Sequence, residues 1–251
     1  MFGEIHNNDA ELITYSSADE SKAMIHARNI LASTSGVLFE LIVNDNKVAD
    51  VKIPLIGRHN VSNCLAAMII ANQFGVKIEK MVGLAAELPP VPGRLEFIPN
   101  NLGFLVVVDY AHTDDALNKT LHCLKELKPK KLSVVFGCGG DRDKGKRAKM
   151  GKAAENYADF IVVTNDNPRT ENPDEIIEDI KKGLTTDKVA FEKNRQKAIE
   201  LAVQNAGKDD VVLIAGKGHE TFQEINRVYH HFDDREIVKN IIAELEENNV
   251  R

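Results

Sequence analysis

The sequence contains no tryptophan and only three cysteines, Cys64, Cys123 and Cys138. Three thiols this far apart are too few for a disulfide framework and lack the close pairs typical of a zinc site. Disulfides persist mainly in oxidising compartments, so reduced thiols in a cytosolic protein are the simplest interpretation. We therefore expect a cytoplasmic protein without disulfide bonds.

Long apolar runs and an excess of positive charge are also absent. No stretch approaches the ~20 apolar residues that a membrane-spanning helix needs, and the opening residues MFGEIHNNDAE contain no apolar signal core. The formal net charge is -6, whereas a protein that binds duplex nucleic acid needs a basic face. We therefore expect small-molecule partners, with no nucleic-acid partner and no membrane role.

Alternating strands and helices dominate the sequence from about residue 100 onwards. Apolar segments that are each followed by helical periodicity predict strands at FLVVVDYA, KLSVVFGC, DFIVVTND, VAFE and DDVVLIAGKG. Strands that are apolar throughout are typical of a parallel sheet with helices on both faces. This part of the chain is therefore predicted to be an α/β domain with a mostly parallel sheet.

The first hundred residues follow a different pattern. Two β-rich runs flank Asn44-Asp45-Asn46, which predicts a hairpin, and helical periodicity predicts helices over 60–74 and 78–88. The segment PPVPGRLEF then interrupts the pattern with proline and glycine. We place a boundary there and predict two domains, residues 1–98 and 99–251.

Polar clusters follow four of the predicted strands. They are Asp109 to His112, Gly137 to Arg142, Asn165 to Arg169 and Gly216 to Glu220. In open α/β sheets, ligands bind beyond the carboxyl ends of the strands, which meet at one edge when the strands are parallel. The sequence therefore predicts one shared site at that edge.

The cluster VTNDNPR places an acid and a guanidinium directly after a strand. Pro168 fixes the turn and favours an extended Asn167. Arg169 offers a planar fork for a carboxylate, and Asp166 can accept a hydrogen bond from an ammonium. These groups suit the zwitterionic end of an amino acid. Taken alone, a helix-start turn with an Asp–Arg surface pair explains the cluster better.

The cluster GCGGDRDKGKR is close to two nucleotide-binding patterns and fits neither. G-x-x-x-x-G-K-[ST] requires a hydroxyl for magnesium where Arg147 stands, and G-x-G-x-x-G requires glycine where Arg142 stands. Glycines beside a helix N-terminus still favour an anion, and Arg142 can bind a carboxylate through two hydrogen bonds. A glycine turn with solvated charges explains the cluster equally well.

In AGKGHE, Gly216 and Gly218 allow a ligand to approach the backbone closely, and Glu220 can receive an ammonium. The alternative is a glycine turn after a strand.

Two further pairs of residues are nucleotide-side candidates. Asp109 suits a ribose hydroxyl or a metal-bound water and His112 suits a phosphate, although a helix start explains VDYAHT as well. Asn60 and Asn63 lie on one helix face and suit a purine edge, although helix capping is the simpler explanation.

Together and in this order, several segments resemble the Mur ligase family, and within it the diaminopimelate-adding ligases. They are GRHNVSNCLAA, VPGRLE, VDYAHTDDAL, FGCGGDRDKGKR, TNDNPRTENP, AGKGHE and FDDRE. The resemblance covers nearly the whole chain. It implies a Rossmann-like C-terminal domain for amino-acid binding, preceded by the last part of the central ATP-binding domain.

The resemblance also implies a reaction and two sets of binding residues. The reaction is an ATP- and Mg2+-dependent step of peptidoglycan synthesis, which adds meso-2,6-diaminopimelate to UDP-N-acetylmuramoyl-L-alanyl-D-glutamate through an acyl phosphate. The implied amino-acid site is Arg142, Asp166, Asn167, Pro168, Arg169, Gly216 and Glu220. The implied nucleotide-side contacts are Asn60, Asn63, Arg94, Asp109 and His112. The DNPR tetrapeptide is similar to the diaminopimelate-selective version rather than the lysine-adding one.

Other family features are missing from these 251 residues: the phosphate loop, the magnesium ligands, a carbamylated lysine and the uridine-nucleotide domain. We therefore expect no metal site in this chain and no ligation by the chain alone, with a separate N-terminal half as a further expected partner. Two other hypotheses remain: a non-catalytic diaminopimelate-binding module, and another ligase of the superfamily, such as the lysine-adding enzyme or a cyanophycin-type ligase.

Overall fold

The structure is a computed structural model that describes residues 12–18 and 21–249. Contacts group the chain into two units, Met1–Pro89 and Pro90–Arg251. Within the described residues, no helix combines the length and the hydrophobicity that crossing a bilayer requires.

The first unit contains a four-stranded sheet and two helices. The strands are β1 (Tyr15–Ser16), β2 (Ile25–Ser33), β3 (Gly36–Val43) and β4 (Asn46–Ile53), in the order β1-β2-β3-β4, followed by α1 (Arg58–Gln73) and α2 (Ile78–Ala85). The predicted hairpin is confirmed, because β3 and β4 are joined by Asn44 and Asp45, both in the left-handed conformation that a two-residue turn requires. The helix expected over 78–88 ends three residues earlier.

The second unit is a six-stranded sheet covered by helices. Its elements are β5 (Glu96–Ile98), β6 (Leu105–Asp109), α3 (Asp114–Glu126), β7 (Leu132–Phe136), α4 (Gly145–Tyr157), β8 (Phe160–Val163), α5 (Pro173–Lys181), β9 (Val189–Phe191), α6 (Arg195–Gln204), β10 (Val211–Ala215), β11 (Phe222–Ile225), β12 (Val228–His231) and α7 (Asp234–Asn249). The sheet order is β5-β6-β10-β7-β8-β9, and only β5 runs antiparallel. The mostly parallel α/β domain is thus confirmed.

Side-chain alternation along the strands builds the core on both faces of this sheet. Val106 and Val108 of β6 share one apolar cluster with Ala198 of α6 and Val238 of α7. The intervening Val107 is equally buried but points to the opposite face, where α3, α4 and α5 pack side by side. The sheet is therefore buried on both faces, and the polar clusters lie in the loops that follow its strands.

The second unit begins at Pro90, nine residues before the boundary expected from PPVPGRLEF. The reason is β5, which pairs through Glu96, Phe97 and Ile98 with β6 and so belongs to the second sheet. The assignment of the two parts to an ATP-binding and an amino-acid-binding domain stays a prediction.

The small hairpin β11–β12 was not expected from the sequence. Its turn residues Asn226 and Arg227 both have positive φ, at 51° and 64°, as a two-residue turn of this type demands. Arginine is an unusual residue in that position, so the turn lacks the asparagine–glycine pair that normally signals it.

Candidate functional site

The four polar loops meet at one edge of the second sheet, as the strand polarity predicts. We call the loops that follow β6, β7, β8 and β10 the polar edge. The amide N–H of Gly140 donates to the carbonyl of Asn167 at 2.9 Å, and that of Gly216 donates to the carbonyl of Asp109 at 3.0 Å. Each loop is therefore hydrogen-bonded to a neighbouring loop.

Asn167 is the centre of this edge and is only 2% exposed. Its Oδ1 accepts from the Lys217 ammonium and from the Glu224 amide N–H, each at 3.0 Å, and its Nδ2 donates to Glu220 at 3.0 Å. An ammonium only donates and a carboxylate only accepts, so these partners fix the orientation of the amide. Asn167 therefore binds three loops together, and its side-chain polar atoms are used by the protein.

Glu220 shares a buried cation with this amide. The Lys217 side chain is fully buried, and its ammonium lies 3.2 Å from the Oε2 atom that also accepts from Asn167. The Glu220 side chain keeps 22% of its surface exposed. The Oε2 atom of Glu220 is thus bound by Lys217 and Asn167, and the carboxylate remains accessible to a ligand.

Arg169 adopts a left-handed backbone with φ of 52°, which is uncommon for a residue with a side chain. Its Nε donates to Glu224 Oε2 at 3.0 Å, and its Nη1 donates to the carbonyl of Gly140 at 2.8 Å. Among the described residues, Nη2 has no hydrogen-bond or ion-pair partner. The guanidinium is therefore fixed in position with one nitrogen left for another group.

Asp166 lies behind Asn167 and is 8% exposed. Its Oδ1 accepts from the Asn167 amide N–H at 2.7 Å, whereas its buried Oδ2 has no hydrogen-bond partner among the described residues. A Cβ atom on Gly216 would lie 2.6 Å from Oδ2, and Gly216 has a φ of 117°. Glycine is therefore needed at 216 by the approach of Asp166 and by the backbone conformation.

The other two residues of the predicted amino-acid site differ in exposure. Pro168 is buried in the turn, and its carbonyl accepts from Glu171 at 3.1 Å. Arg142 is exposed, and its guanidinium has no hydrogen bond or ion pair with any described residue. The structure thus brings together all seven predicted residues, with Arg142 at the rim.

A second cluster at the polar edge surrounds the Tyr110 ring. The Arg94 guanidinium lies 4.9 Å above this ring, His112 meets it edge-on at 4.5 Å, and His219 lies 5.2 Å away. We call these four residues the tyrosine platform. An aromatic face beside a guanidinium is suited to stacking and cation–π contact with a planar ligand.

Asp109 is buried and supports the tyrosine platform, because it binds the backbone next to Arg94 and Tyr110. Its Oδ2 accepts from the Leu95 amide at 2.7 Å, and its Oδ1 accepts from the Ala111 amide at 2.9 Å and the Thr120 hydroxyl at 3.2 Å. The carboxylate is thus engaged by the protein. Its geometry favours loop support over the ribose or metal-water contact that the sequence suggested.

The remaining nucleotide-side candidates lie in the first unit. Asn60 donates through Nδ2 to the Ile56 carbonyl at 2.8 Å, and Asn63 donates to Asn60 Oδ1 at 3.2 Å. The helix begins after Gly57, so Asn60 does not cap it. The paired amides on one face are present, and their ligand stays a prediction.

Two buried arginines that the sequence did not single out support the polar edge. Arg195 donates two hydrogen bonds to Asp234 at 2.8 and 2.7 Å and a third to the Ala215 carbonyl at 3.0 Å. It therefore anchors the end of β10 to the start of α7.

Arg147 does the same for the loops after β7 and β8. Its Nη2 lies 2.9 Å from both carboxylate oxygens of Glu171, and its Nη1 donates to Asp179 at 3.0 Å. The hydrogen bond from Arg147 is the main cause that lowers the pKa of Glu171 to about 2.

Lys217, Glu224, Arg147 and Arg195 were missed because their roles depend on tertiary contacts. Lys217 stood inside the AGKGHE motif, and that position was the one available signal. No group of three or more His, Cys, Asp or Glu side chains in residues 12–18 and 21–249 has the arrangement of a metal site.

Sequence models of two protein domains match the chain. The model described as "Mur ligase, glutamate ligase domain" matches residues 93–218, and the "Mur ligase middle domain" matches residues 1–71.

Relatives with similar sequences include two proteins named as ligases. A Clostridium acetobutylicum protein named UDP-N-acetylmuramoyl-L-alanyl-D-glutamate--2,6-diaminopimelate ligase 1 is 43% identical over 248 residues, which are 97% of this chain and 51% of that protein. A ligase of the same description from Caldanaerobacter subterraneus is 41% identical over 244 residues, which are 96% of this chain and 50% of that protein. The chain thus spans about half the length of the curated relatives it matches.

Solved structures of ligases are also similar to the chain. A UDP-N-acetylmuramoyl-L-alanyl-D-glutamate--2,6-diaminopimelate ligase matches with a TM-score of 0.70 and 40% identity, over 93% of this chain and 48% of that one. A UDP-N-acetylmuramate-alanine ligase from Thermotoga maritima matches with a TM-score of 0.69 at 19% identity, over 94% and 48% of the two chains. The second likeness concerns the fold alone.

Proposed function

The chain belongs to the Mur ligase family, and we propose that its second unit binds the amino acid in a ligase that adds meso-2,6-diaminopimelate to UDP-N-acetylmuramoyl-L-alanyl-D-glutamate. The observation that carries this proposal is the fixed pair of opposite charges at the polar edge. The Asn167 side-chain amide connects both residues. It donates to Glu220 directly, and it accepts from the backbone N–H of Glu224, whose side chain accepts from Arg169.

This pair matches the chemistry of the far end of diaminopimelate. That end carries a carboxylate and an ammonium, whereas the far end of lysine carries only an ammonium. The carboxylate suits Arg169 and the ammonium suits Glu220, through charge-assisted hydrogen bonds. A ligand without the carboxylate leaves the arginine nitrogen without its partner, which disfavours lysine and the lysine-adding alternative.

The other residues of the site have supporting roles in this proposal. The exposed Arg142 guanidinium at the rim is suited to a second carboxylate contact. The buried Asp166 holds the Asn167 backbone and adds negative charge beneath the ammonium. Gly216 keeps the loop after β10 close to Asp166.

Mur ligases depend on ATP, generally with Mg2+, and ATP supplies the phosphoryl group that activates the acceptor carboxylate. The tyrosine platform fits a planar base or a ribose–phosphate group, because it combines an aromatic face with a guanidinium and two imidazoles. We therefore propose Arg94 and His112 as nucleotide contacts, with Asp109 supporting the loop that carries His112. The described residues offer no set of ligands for Mg2+.

In the proposed reaction, the amine of the bound diaminopimelate attacks the carbonyl carbon of an acyl phosphate on the D-glutamyl side chain. The new amide bond replaces the acyl–oxygen bond, phosphate leaves, and the amine loses one proton. The polar edge contributes by fixing the far end of the amino acid, which restricts where its near amine can lie. No covalent nucleophile from this chain is required.

The proposal is tested by calorimetric titration of the chain with meso-diaminopimelate and with L-lysine. We expect selective binding of diaminopimelate. Arg169→Ala should weaken that binding about tenfold to a hundredfold, as expected for a hydrogen bond to a charged group, and should not weaken the binding of lysine.

Arg28→Ala is the matched control, because Arg28 pairs with Glu40 on the surface of the first unit. Equal binding of both amino acids by the wild-type chain, or no effect of Arg169→Ala on diaminopimelate, would show that the proposed site is incorrect.

A further inference from the structure

The hairpin β11–β12 contacts the backbone of Arg169 directly. The Arg169 amide N–H donates to the Glu224 carbonyl at 3.0 Å, and the Asn226 amide N–H donates to the Arg169 carbonyl at 2.8 Å. Arg169 therefore forms a bridge to the hairpin in the manner of a short parallel strand.

This contact involves a residue whose backbone conformation is unfavourable. Arg169 has a φ of 52°, and non-glycine residues in this region are retained only where their surroundings hold them. Two hydrogen bonds from the hairpin supply that constraint. The direction in which the arginine side chain leaves the backbone is thus set by the hairpin.

The Glu224 side chain then fixes the guanidinium itself. Its Oε2 lies 3.0 Å from Arg169 Nε, and the two side chains are only 16% and 18% exposed. With Nη1 bound to the Gly140 carbonyl at 2.8 Å, the plane of the guanidinium is defined by two acceptors. Nη2 is the nitrogen left for a ligand, since it has no hydrogen bond or ion pair with any described residue.

Glu224 is also tied to the other half of the charge pair. Its amide N–H donates to Asn167 Oδ1, and Asn167 Nδ2 donates to Glu220. The spacing between the Arg169 cation and the Glu220 anion is therefore fixed before any ligand arrives. Preorganisation of this kind increases affinity by removing the ordering cost of binding.

We propose that Glu224 is a positioning residue that determines selectivity for an amino acid with a carboxylate at its far end. It acts through Arg169, by holding the guanidinium so that Nη2 faces the ligand carboxylate. The inference rests on the proposed amino-acid site. It assigns to β11–β12 a role in choosing the substrate.

Two substitutions separate positioning from charge. Glu224→Ala removes the acceptor of Nε, so affinity for meso-diaminopimelate should fall about tenfold while affinity for L-lysine stays the same. Glu224→Gln keeps an acceptor oxygen and removes the charge, so diaminopimelate affinity should stay within about threefold of wild type. Glu178→Ala, at an exposed pair with Lys181, is the control and should change nothing.

A ligand-free measurement complements the titration. The Nε–H signal of Arg169, assigned by its loss in Arg169→Lys, should exchange slowly with water in the wild type and in Glu224→Gln. The signal should exchange rapidly in Glu224→Ala.

Two results would overturn the inference. They are an unchanged ratio of diaminopimelate affinity to lysine affinity in Glu224→Ala, and rapid exchange of the Arg169 signal in the wild type. Absence of diaminopimelate binding by the wild type would instead reject the proposed amino-acid site, and the exchange measurement would still decide whether Glu224 holds Arg169.

Discussion

Lys217 illustrates how individual residues make the polar edge. Lysine is rarely buried without a partner, and here the ammonium is enclosed with Asn167 Oδ1 at 3.0 Å and Glu220 Oε2 at 3.2 Å. Its loss would leave an amide oxygen and a carboxylate without their shared donor. The residue therefore contributes to the shape of the site without needing to touch a ligand.

We predict that Lys217→Met destabilises the protein by about 3 kcal/mol, because it leaves the partly buried Glu220 carboxylate without its cation and Asn167 Oδ1 without one of its two donors. The double variant Lys217→Met/Glu220→Gln should recover part of this loss, since the unpaired charge is removed. Urea unfolding of the two single variants and the double variant measures the coupling between the positions.

Lys193→Met is the matched control, because Lys193 forms an exposed pair with Asp174 and should cost less than about 1 kcal/mol. Strictly additive effects of the two substitutions would contradict the assigned pairing.

At this scale the sequence singled out the candidate binding groups more readily than the residues that hold them. Arg169 and Glu220 stand out because each belongs to a polar cluster that follows an apolar strand. Lys217 and Glu224 do not stand out, since a lysine between glycines and a glutamate in a polar hairpin look like surface residues. Their burial follows from the packing of separate loops, which local sequence does not encode.

At the scale of elements, Glu171 connects three parts of the second unit. Its carboxylate receives Nη2 of Arg147 from α4, lies 3.2 Å from the Lys144 ammonium, and accepts from the Asp141 amide in the loop after β7. Because Glu171 itself follows β8, one side chain joins the β7 and β8 sides of the polar edge.

This link gives a pH-dependent stability. The folded pKa of Glu171 is about 2, with the hydrogen bond from Arg147 as the main cause, against an ordinary value of 4.5. A lowered carboxyl pKa stabilises the fold above pH 4.5, and the contribution disappears as the pH falls through about 2. Glu171→Gln should therefore cost about 3 kcal/mol at pH 7, with the difference from wild type shrinking below pH 4.5.

Urea unfolding at pH 7, 5, 4 and 3 measures this difference. Glu178→Gln serves as the control, because Glu178 is 64% exposed and pairs with the surface residue Lys181. A stability difference for Glu171→Gln that does not change with pH would argue against the ionic link.

Helices and strands were predictable from the sequence where their pattern of apolar residues was clear. The parallel strands were predicted because they are buried on both faces and are apolar throughout. Strand β5 was missed because glycine and prolines precede it and only three residues pair. The hairpin β11–β12 was missed because its turn is Asn226-Arg227 and β12 is exposed throughout. These two missed elements of the second unit are short and owe their stability to neighbours, whereas the longer strand β2 of the first unit was also not predicted.

At the scale of the whole molecule, all seven residues of the proposed amino-acid site lie in the second unit, which begins at Pro90. The stretch between Pro90 and Ile98 contributes more than a linker. The Gly93 carbonyl accepts from Tyr110, the Leu95 amide donates to Asp109, and β5 pairs with β6. The stretch therefore belongs to the second unit, and a fragment that contains this unit should begin at Pro90.

We predict that residues 90–251 fold alone, unfold cooperatively and bind meso-diaminopimelate as the full chain does. A fragment of residues 99–251 should be less stable by about 3–5 kcal/mol, because it loses buried apolar side chains and leaves an edge of the sheet unpaired. Urea unfolding and calorimetric titration of the two fragments test this. Equal stability of the fragments would place the boundary at residue 98, and loss of diaminopimelate binding by residues 90–251 alone would mean that the amino-acid site needs the first unit.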